Sequence, residues 1–249
     1  MFKEVFNLLI RKGDENASGP ALDQALDRFD DKILQMEQYI QPAPESKPRT
    51  PFDSGLPRKQ LSMANLTWEQ KMRVIPQAVP LFLNMQRGSR IAHTPNQSRH
   101  QASPEIIEDL EALARKAGAK DIRYVKVPRT AIFQDKGIPH KYAIIFTVEM
   151  EKEPISTSPS FDSQVEVMRG YKNLSVIAGK LTSFLHERGF AAYPGTALGG
   201  TTDYVYLGEL AGLGAVGYHG LLITPGEGAR LRIGTVYTNI ENLPIQEEN

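Results

Sequence analysis

Residues Ala211 to Pro225, with Gly228 to Gly234 close behind, crowd glycines among apolar side chains. Glycine reaches positive φ and leaves room where a Cβ would intrude, so this stretch reads as a loop that cradles a large flat or anionic ligand. Backbone N–H groups in tight turns form anion-binding concavities, and Gly212 to Gly220 are expected to supply one. Gly212 to Gly217 also spell G-x-G-x-x-G, but the dinucleotide fingerprint requires a preceding buried strand, a helix opening on the third glycine and an acid about 20 residues on. Here the helix-like segment Asp203 to Leu210 precedes the glycines and Thr224-Pro225-Gly226 turns the chain soon after, so the Rossmann reading is set aside.

Three further side chains could carry chemistry. Tyr171 shares a helical face with Leu174 and Ala178, where the plain account is a core tyrosine with its hydroxyl hydrogen-bonded at the edge. Arg230 follows the glycines, either as a surface charge at the start of a strand or as a site cation, and Arg232 is expected to face away from it. Asp203 stands where a helix N-cap or a solvated carboxylate belongs. His93, His100, His140, His186 and His219 show no metal-binding spacing. His186 suits the negative end of a helix, and His219, inside the glycine loop, is expected to make a loop hydrogen bond.

The chain resembles the reductive dehalogenases and the related epoxyqueuosine reductases. The resemblance runs through Tyr142 to Met150, Glu166-Val167-Met168-Arg169-Gly170-Tyr171, the glycine block, Leu221 to Pro225, and Gly228 to Gly234 with Val236 to Asn239 behind. It covers roughly residues 104 to 245 in the family's order. The resemblance implies a nitroreductase-like α/β core that binds cobalamin without a protein ligand to cobalt. It implies a corrinoid site at Gly212, Leu213, Gly214, Gly217, Tyr218, His219, Gly220, Leu221 and Leu222, with Tyr171 as proton donor and Arg230 beside it, favouring the ionised phenol or holding the departing halide. Many dehalogenases carry an Asn-Asp pair between the tyrosine helix and the glycine block, where this chain has Ala197 to Asp203, and the asparagine is missing; Asp203 remains a second candidate proton source. The family's core is followed by a ferredoxin-like segment with two iron–sulfur clusters, and this chain stops about where that segment should begin.

Composition narrows the partners. Lys plus Arg and Asp plus Glu are both 29 of 249 residues, which gives no electrostatic case for nucleic acid or an anionic membrane. With no cysteine, these residues can hold neither a disulfide nor a cysteine-ligated cluster, so an iron–sulfur or ferredoxin-type donor is expected as a partner. No apolar run reaches the 18 or so residues of a membrane span, and no signal peptide is legible at the start; a cytoplasmic location is the default expectation.

The positioning elements follow from periodicity and caps. An amphipathic helix is expected from Pro20 to Ile40, then a Pro-rich linker over Gln41 to Lys59. Thr67 to Gln70 have capping-box spacing and open a short helix through Ile75, with Pro76 and Pro80 punctuating the apolar segment Val79 to Leu83. Arg87 to Gln101 read as a surface loop or a lid. Pro104 to Ala117 form a helix ended by Gly118, Ile122 to Val127 and Tyr142 to Met150 are strands, and Ser163 and Glu166 cap a long helix that carries Tyr171 and stops at Gly189. Phe190 to Tyr193 and Leu231 to Thr238 are the remaining strands. The expected architecture is an α/β nitroreductase-like mixed sheet sandwiched by helices, with an N-terminal helical arm and linker over residues 1–60 and a corrinoid-binding core over 61–249. The expected function is that of a corrinoid-dependent reductive dehalogenase acting on an organohalide. A non-catalytic corrinoid carrier and a flavin nitroreductase-like enzyme stay open as alternatives, as does a homodimer.

Overall fold

The computed structural model describes residues 29–49, 66–91 and 99–245. Its centre is a four-stranded sheet of β1 (Ile122–Lys126), β2 (Tyr142–Glu149), β3 (Ala192–Pro194) and β6 (Leu231–Thr238), in the order β1-β2-β6-β3. All three strand pairings are antiparallel, and a parallel bridge between Arg99 and Phe190 lies beside β3. β2 is apolar nearly throughout because both its faces are covered. Ile144, Phe146 and Val148 join one buried cluster with Leu174, Ile177 and Leu181; Ala143 and Ile145, pointing the other way, join Ile33, Leu207 and Tyr237. The α/β sandwich is as expected.

Helices α1 (Trp68–Ile91), α2 (Pro104–Lys116) and α4 (Phe161–Glu187) cover the first face; a short helix, α3 (Lys152–Ser156), leads into α4. The expected break near Pro76 does not occur. α1 opens at the Thr67–Gln70 capping box and continues through Pro76 and Pro80. Burial of Val74, Ala78, Leu81, Phe82 and Met85 outweighs the lost backbone bonds, and Asn84 donates to the Pro80 carbonyl at 2.8 Å. α4 starts three residues earlier than the sequence suggests: Ser160 and Ser163 form the reciprocal cap, and Glu166 is instead buried, accepting from Glu151 N at 2.6 Å and pairing with Arg169.

The second face is covered by α5 (Tyr204–Leu210), the small hairpin β4 (Ala215–Val216) and β5 (Leu222–Ile223), and residues 29–49. The helix expected through Ile40 ends at Asp30, and the part before residue 29 lies outside the described residues. Beyond it the chain packs: Phe29 and Ile33 are buried, Ile40 bridges Ile138, and Arg129 donates to the carbonyls of Gln41 and Pro42. Residues 41–49, which read as linker, are therefore part of the folded body. Of the expected loop or lid, residues 92–98 lie outside the described residues. No helix among the described residues is long and apolar enough to cross a membrane.

Candidate functional site

A cavity of about 700 Å³ opens between the first turns of α4, the start of β6, the loop before α5, the β4–β5 hairpin and residues 47–49. That volume lies within the range of small-molecule sites. Its walls are largely apolar, with Phe133, Met150, Ile155, Val167, Leu221 and Ile233 among them.

Tyr171 lines this cavity. The cation beside it is Arg232. The Arg232 guanidinium carbon lies 4.7 Å from the centroid of the Tyr171 ring, a cation–π contact. Gly170 leaves room for it: a Cβ there would lie 3.0 Å from Arg232 Cγ, and the arginine stem along α4 would have to give by a few tenths of an ångström. Arg232 Nε is buried and has no hydrogen-bond partner among the described residues.

Arg230, expected beside Tyr171, is elsewhere. Its Nη1 pairs with Glu149 Oε1 at 2.7 Å and donates to the Met150 carbonyl, and the side chain lines a separate open recess with Glu149 to Glu153. The ladder explains the correction. The regular ladder with β2 begins at Leu231, opposite Glu149, with Arg230 at its end, where the Glu149 carboxylate and Met150 carbonyl hold its side chain, whereas Arg232, opposite Val148, lies within the sheet.

Asp203 lies at the cavity wall and caps α5, one carboxylate oxygen accepting from Val205 N and Tyr206 N at 3.1 Å each. Its neighbours form a buried polar group: the Tyr237 hydroxyl is 2.7 Å from Thr202 Oγ1 and 3.1 Å from Thr201 Oγ1, and the Tyr204 hydroxyl donates to the Thr196 carbonyl at 3.2 Å. Burial pushes both phenols upward, with Asp30 adding to each; Tyr237 further raises Tyr204, whereas hydrogen bonds with Thr201, Thr202 and Tyr204 partly offset the rise at Tyr237.

The glycine block ends α5 and builds the hairpin. Gly212, at φ 70°, turns the chain out of the helix, with Gly212 N donating to Glu209 O and Leu213 N to Gly208 O. Val216 N donates to Glu209 Oε1, Gly217 N to Leu221 O, Gly220 N to Gly217 O, and Leu221 N to His219 Nδ1 at 3.1 Å. Five N–H groups of the expected anion-binding concavity, and that of Leu221 beside it, are thus occupied within the chain, because a helix end and a tight hairpin each use the donors they expose. Gly214 lacks a Cβ for the same structural reason: one there would collide with the Ile223 carbonyl oxygen. What the hairpin offers a ligand is apolar surface. Leu213 and Leu222 anchor it in the core, while Val216, Tyr218, Leu221 and Ile223 are exposed, Tyr218 fully.

Among the described residues no histidine or carboxylate cluster could hold a metal ion. His186, in the last turn of α4, lies 3.0 Å from the Ala192 carbonyl through Nε2. Burial first, and then the nearby His100 and His186, push His140 down to about 4.

Asp30 was not legible as a site residue. It is 2 % exposed, accepts from Thr196 Oγ1 at 2.8 Å and from Gly200 N at 3.2 Å, and lies near Arg49 and Lys136. Burial outweighs those favourable contacts and raises its carboxyl to about 6. The available signal was its place four residues after Leu26 and three before Ile33, on an otherwise apolar stripe.

No family model matches the chain. Tetrachloroethene reductive dehalogenases of Desulfitobacterium hafniense and Dehalobacter restrictus are each 40% identical to it over 109 residues, 43% of this chain and 19% of theirs, so the chain spans about a fifth of the length of these relatives. Among solved structures, a catabolic reductive dehalogenase, NpRdhA, superposes with a TM-score of 0.56 at 18% identity, over 73% of this chain and 28% of that one. The same protein in complex with 3-bromo-4-hydroxybenzoic acid gives 0.55, and a reductive dehalogenase whose structure is described as suggesting a mechanism for B12-dependent dehalogenation gives 0.50, both at 18% identity. The chain is thus similar in sequence to tetrachloroethene reductive dehalogenases over 109 residues, and it shares the α/β fold of the solved reductive dehalogenases.

Proposed function

We propose that this chain is the cobalamin-binding core of a reductive dehalogenase acting on an organohalide, with Tyr171 as proton donor and Arg232, in place of Arg230, as its partner. The observation that carries the reading is the stacked Tyr171–Arg232 pair in the wall of an apolar cavity. The residues present fit a large, largely apolar cofactor: the β4–β5 hairpin carries four exposed apolar side chains, and its Leu221 and Leu222 line the cavity. Contact would come from these side chains. Cobalamin, when bound, supplies low-potential cobalt chemistry that the side chains lack.

The chain's own part is to exclude water, orient the substrate and deliver a proton. The net reaction breaks the carbon–halogen bond, forms a carbon–hydrogen bond and releases halide, using two electrons and one proton. Tyr171 gives the proton through its hydroxyl, and the cation over the ring stabilises the electron-rich phenolate left behind. Electrons come from a donor outside these residues, since no cysteine is present to hold a cluster. That absence favours a second reading, a corrinoid carrier without turnover.

Reconstitution with cobalamin, flavin mononucleotide or neither, followed by absorbance after gel filtration, tests the cofactor. Retention of the corrinoid spectrum is expected; retention of flavin alone would overturn the reading. Turnover of aryl and alkyl halides with a chemical reductant then separates dehalogenase from carrier.

A further inference from the structure

Glu166 is a carboxylate that the proposed chemistry does not use, yet it is 5 % exposed and stands one helical turn before Gly170, on the stripe of α4 that meets Met150 and Arg232. The neighbouring stripe carries Val167 and Tyr171, which line the cavity. Arg169 grips both oxygens of Glu166, Nη2 donating to Oε1 at 2.5 Å and Nε to Oε2 at 2.7 Å, and Oε1 also accepts from Glu151 N at 2.6 Å. Arg169 donates in turn to the Glu149 carbonyl at 3.2 Å. The pair thus holds one backbone group on each side of Met150. Met150 N donates to the Arg230 carbonyl at 3.1 Å, which ties the same corner to the start of β6, and Met150 Cγ lies 3.6 Å from where a Cβ on Gly170 would sit. Burial opposes the Glu166 charge, but Arg169 and the Glu151 N–H outweigh it and hold the carboxyl below its usual range, so the pair is ionised at neutral pH.

Farther along, α4 packs through Leu174, Ile177, Leu181 and Leu185, and apolar side chains could fill the place of Glu166 and Arg169 without desolvating two charges. A buried ion pair adds little stability over such packing. What it adds is direction, because a planar fork and a carboxylate accept few mutual geometries. Resting on the dehalogenase reading, we propose that Glu166, acting through Arg169, is a positioning residue: it fixes this part of α4 against the corner between β2 and β6, so that Tyr171 stays stacked on Arg232 at the cavity wall. A displacement of ~1 Å at a reacting group costs on the order of 100-fold in rate, so a loosened clamp acts on turnover through the position of Tyr171.

Glu166→Gln keeps an acceptor for Glu151 N and removes the charge that grips Arg169. Its melt should fall, since Arg169 loses its counter-charge, so it is assayed well below that melt, in the full chain with cobalamin, a chemical reductant and an aryl halide. The circular dichroism spectrum and cobalamin affinity of the wild type are expected, with KM within about twofold and kcat lowered about tenfold or more. Arg169→Lys, which keeps the charge and loses the fork, should lower kcat in the same way. In a Tyr171→Phe background Glu166→Gln should cost no further turnover, because the residue it positions has lost its proton; equal losses in both backgrounds overturn the proposal. Crystal structures give a readout that needs no turnover: the separation of the Arg232 guanidinium from the Tyr171 ring, 4.7 Å in the wild type, should exceed ~6 Å in Glu166→Gln. An unmoved pair, a near wild-type kcat in folded Glu166→Gln, or failure of both variants to fold each overturns the positioning role and leaves the dehalogenase reading standing. A wild type that takes up no cobalamin, or takes it up and releases no halide, sinks the dehalogenase reading instead, and the separation of the pair alone then decides the proposal.

Discussion

At the scale of single residues, the two arginines of the segment Arg230-Leu231-Arg232 have different duties. Arg230 closes an ion pair with Glu149 that is partly open to water, worth at most about 1 kcal/mol. Arg232 spends its charge on Tyr171. Tyr171→Phe should keep the ring packing, the melting temperature and cobalamin uptake while reductive dehalogenation with a chemical reductant falls by roughly 100-fold or more, the usual loss on removing a general acid. Arg232→Met preserves the stem against Gly170 and should cost turnover similarly, whereas Arg230→Met should leave turnover near wild type and lower stability slightly. Rates and melts measured side by side decide it: a dead Arg230→Met beside an active Arg232→Met would return the role to Arg230.

Asp30 offers a second residue-level test. The folded chain holds the Asp30 proton over a range, from pH 3.8 to about 6, in which the unfolded chain has already released it. Raising the pH through that window therefore costs the fold stability, by about 3 kcal/mol for a displacement of this size. His140 acts in the opposite sense: its neutral form is favoured in the fold, so its contribution is present above its ordinary value of 6.5 and is lost as pH falls through about 4. The two overlap, so the useful quantity is the difference between wild type and Asp30→Asn. That difference should shift in the variant's favour from about pH 4 to about pH 7, by denaturant unfolding at each pH; a difference independent of pH would mean that Asp30 titrates normally.

At the scale of elements, the β4–β5 hairpin joins a rigid frame to an apolar outer surface. Gly214 belongs to the frame. Gly214→Ala forces a Cβ into the Ile223 carbonyl and should destabilise the protein by about 1–3 kcal/mol, with ligand binding falling only as the fold does. The double substitution Tyr218→Ser and Leu221→Ser removes exposed apolar surface that no described residue covers, so it should weaken cobalamin binding about tenfold or more with little change in the melt. Circular dichroism melts paired with cobalamin titrations separate the two effects. Loss of cobalamin in a Gly214→Ala protein with an unchanged melt would assign that glycine to the ligand after all.

For the whole molecule, the sheet divides the core in two, and residues 29–49 add to both halves, Phe29 to the first and Ile33 to the second. Phe29 and Ile33 are buried, and Asp30 ties this segment to the Thr196–Gly200 loop at the cavity wall. A chain lacking residues 1–49 should lose several kcal/mol, the cost of emptying at least two large buried sites, and should no longer bind ligand in the cavity. A truncated protein with a wild-type melt would make the segment a dispensable arm. The full chain should show no turnover with reduced ferredoxin or NADPH as the sole addition, because the electron-carrying ligands are not among its residues.

The sequence by itself determined what short-range physics controls. The helix Pro104 to Lys116 with its glycine stop, the doubly covered strand β2, the strand Leu231–Thr238, the cap at Asp203 and the helix that carries Tyr171 all follow from periodicity and turn chemistry within a few residues. Tertiary structure decided the rest, because each remaining question turned on partners far apart in the chain. Which arginine meets Tyr171 depends on where the β6 ladder begins and on α4 crossing it at a glycine. Whether the glycine loop offers free N–H groups depends on a hairpin closing onto α5. Asp30 is a buried acid only because the chain folds it against Thr196 and Gly200, 166 and 170 positions away, and no local pattern encodes the burial that sets its proton affinity.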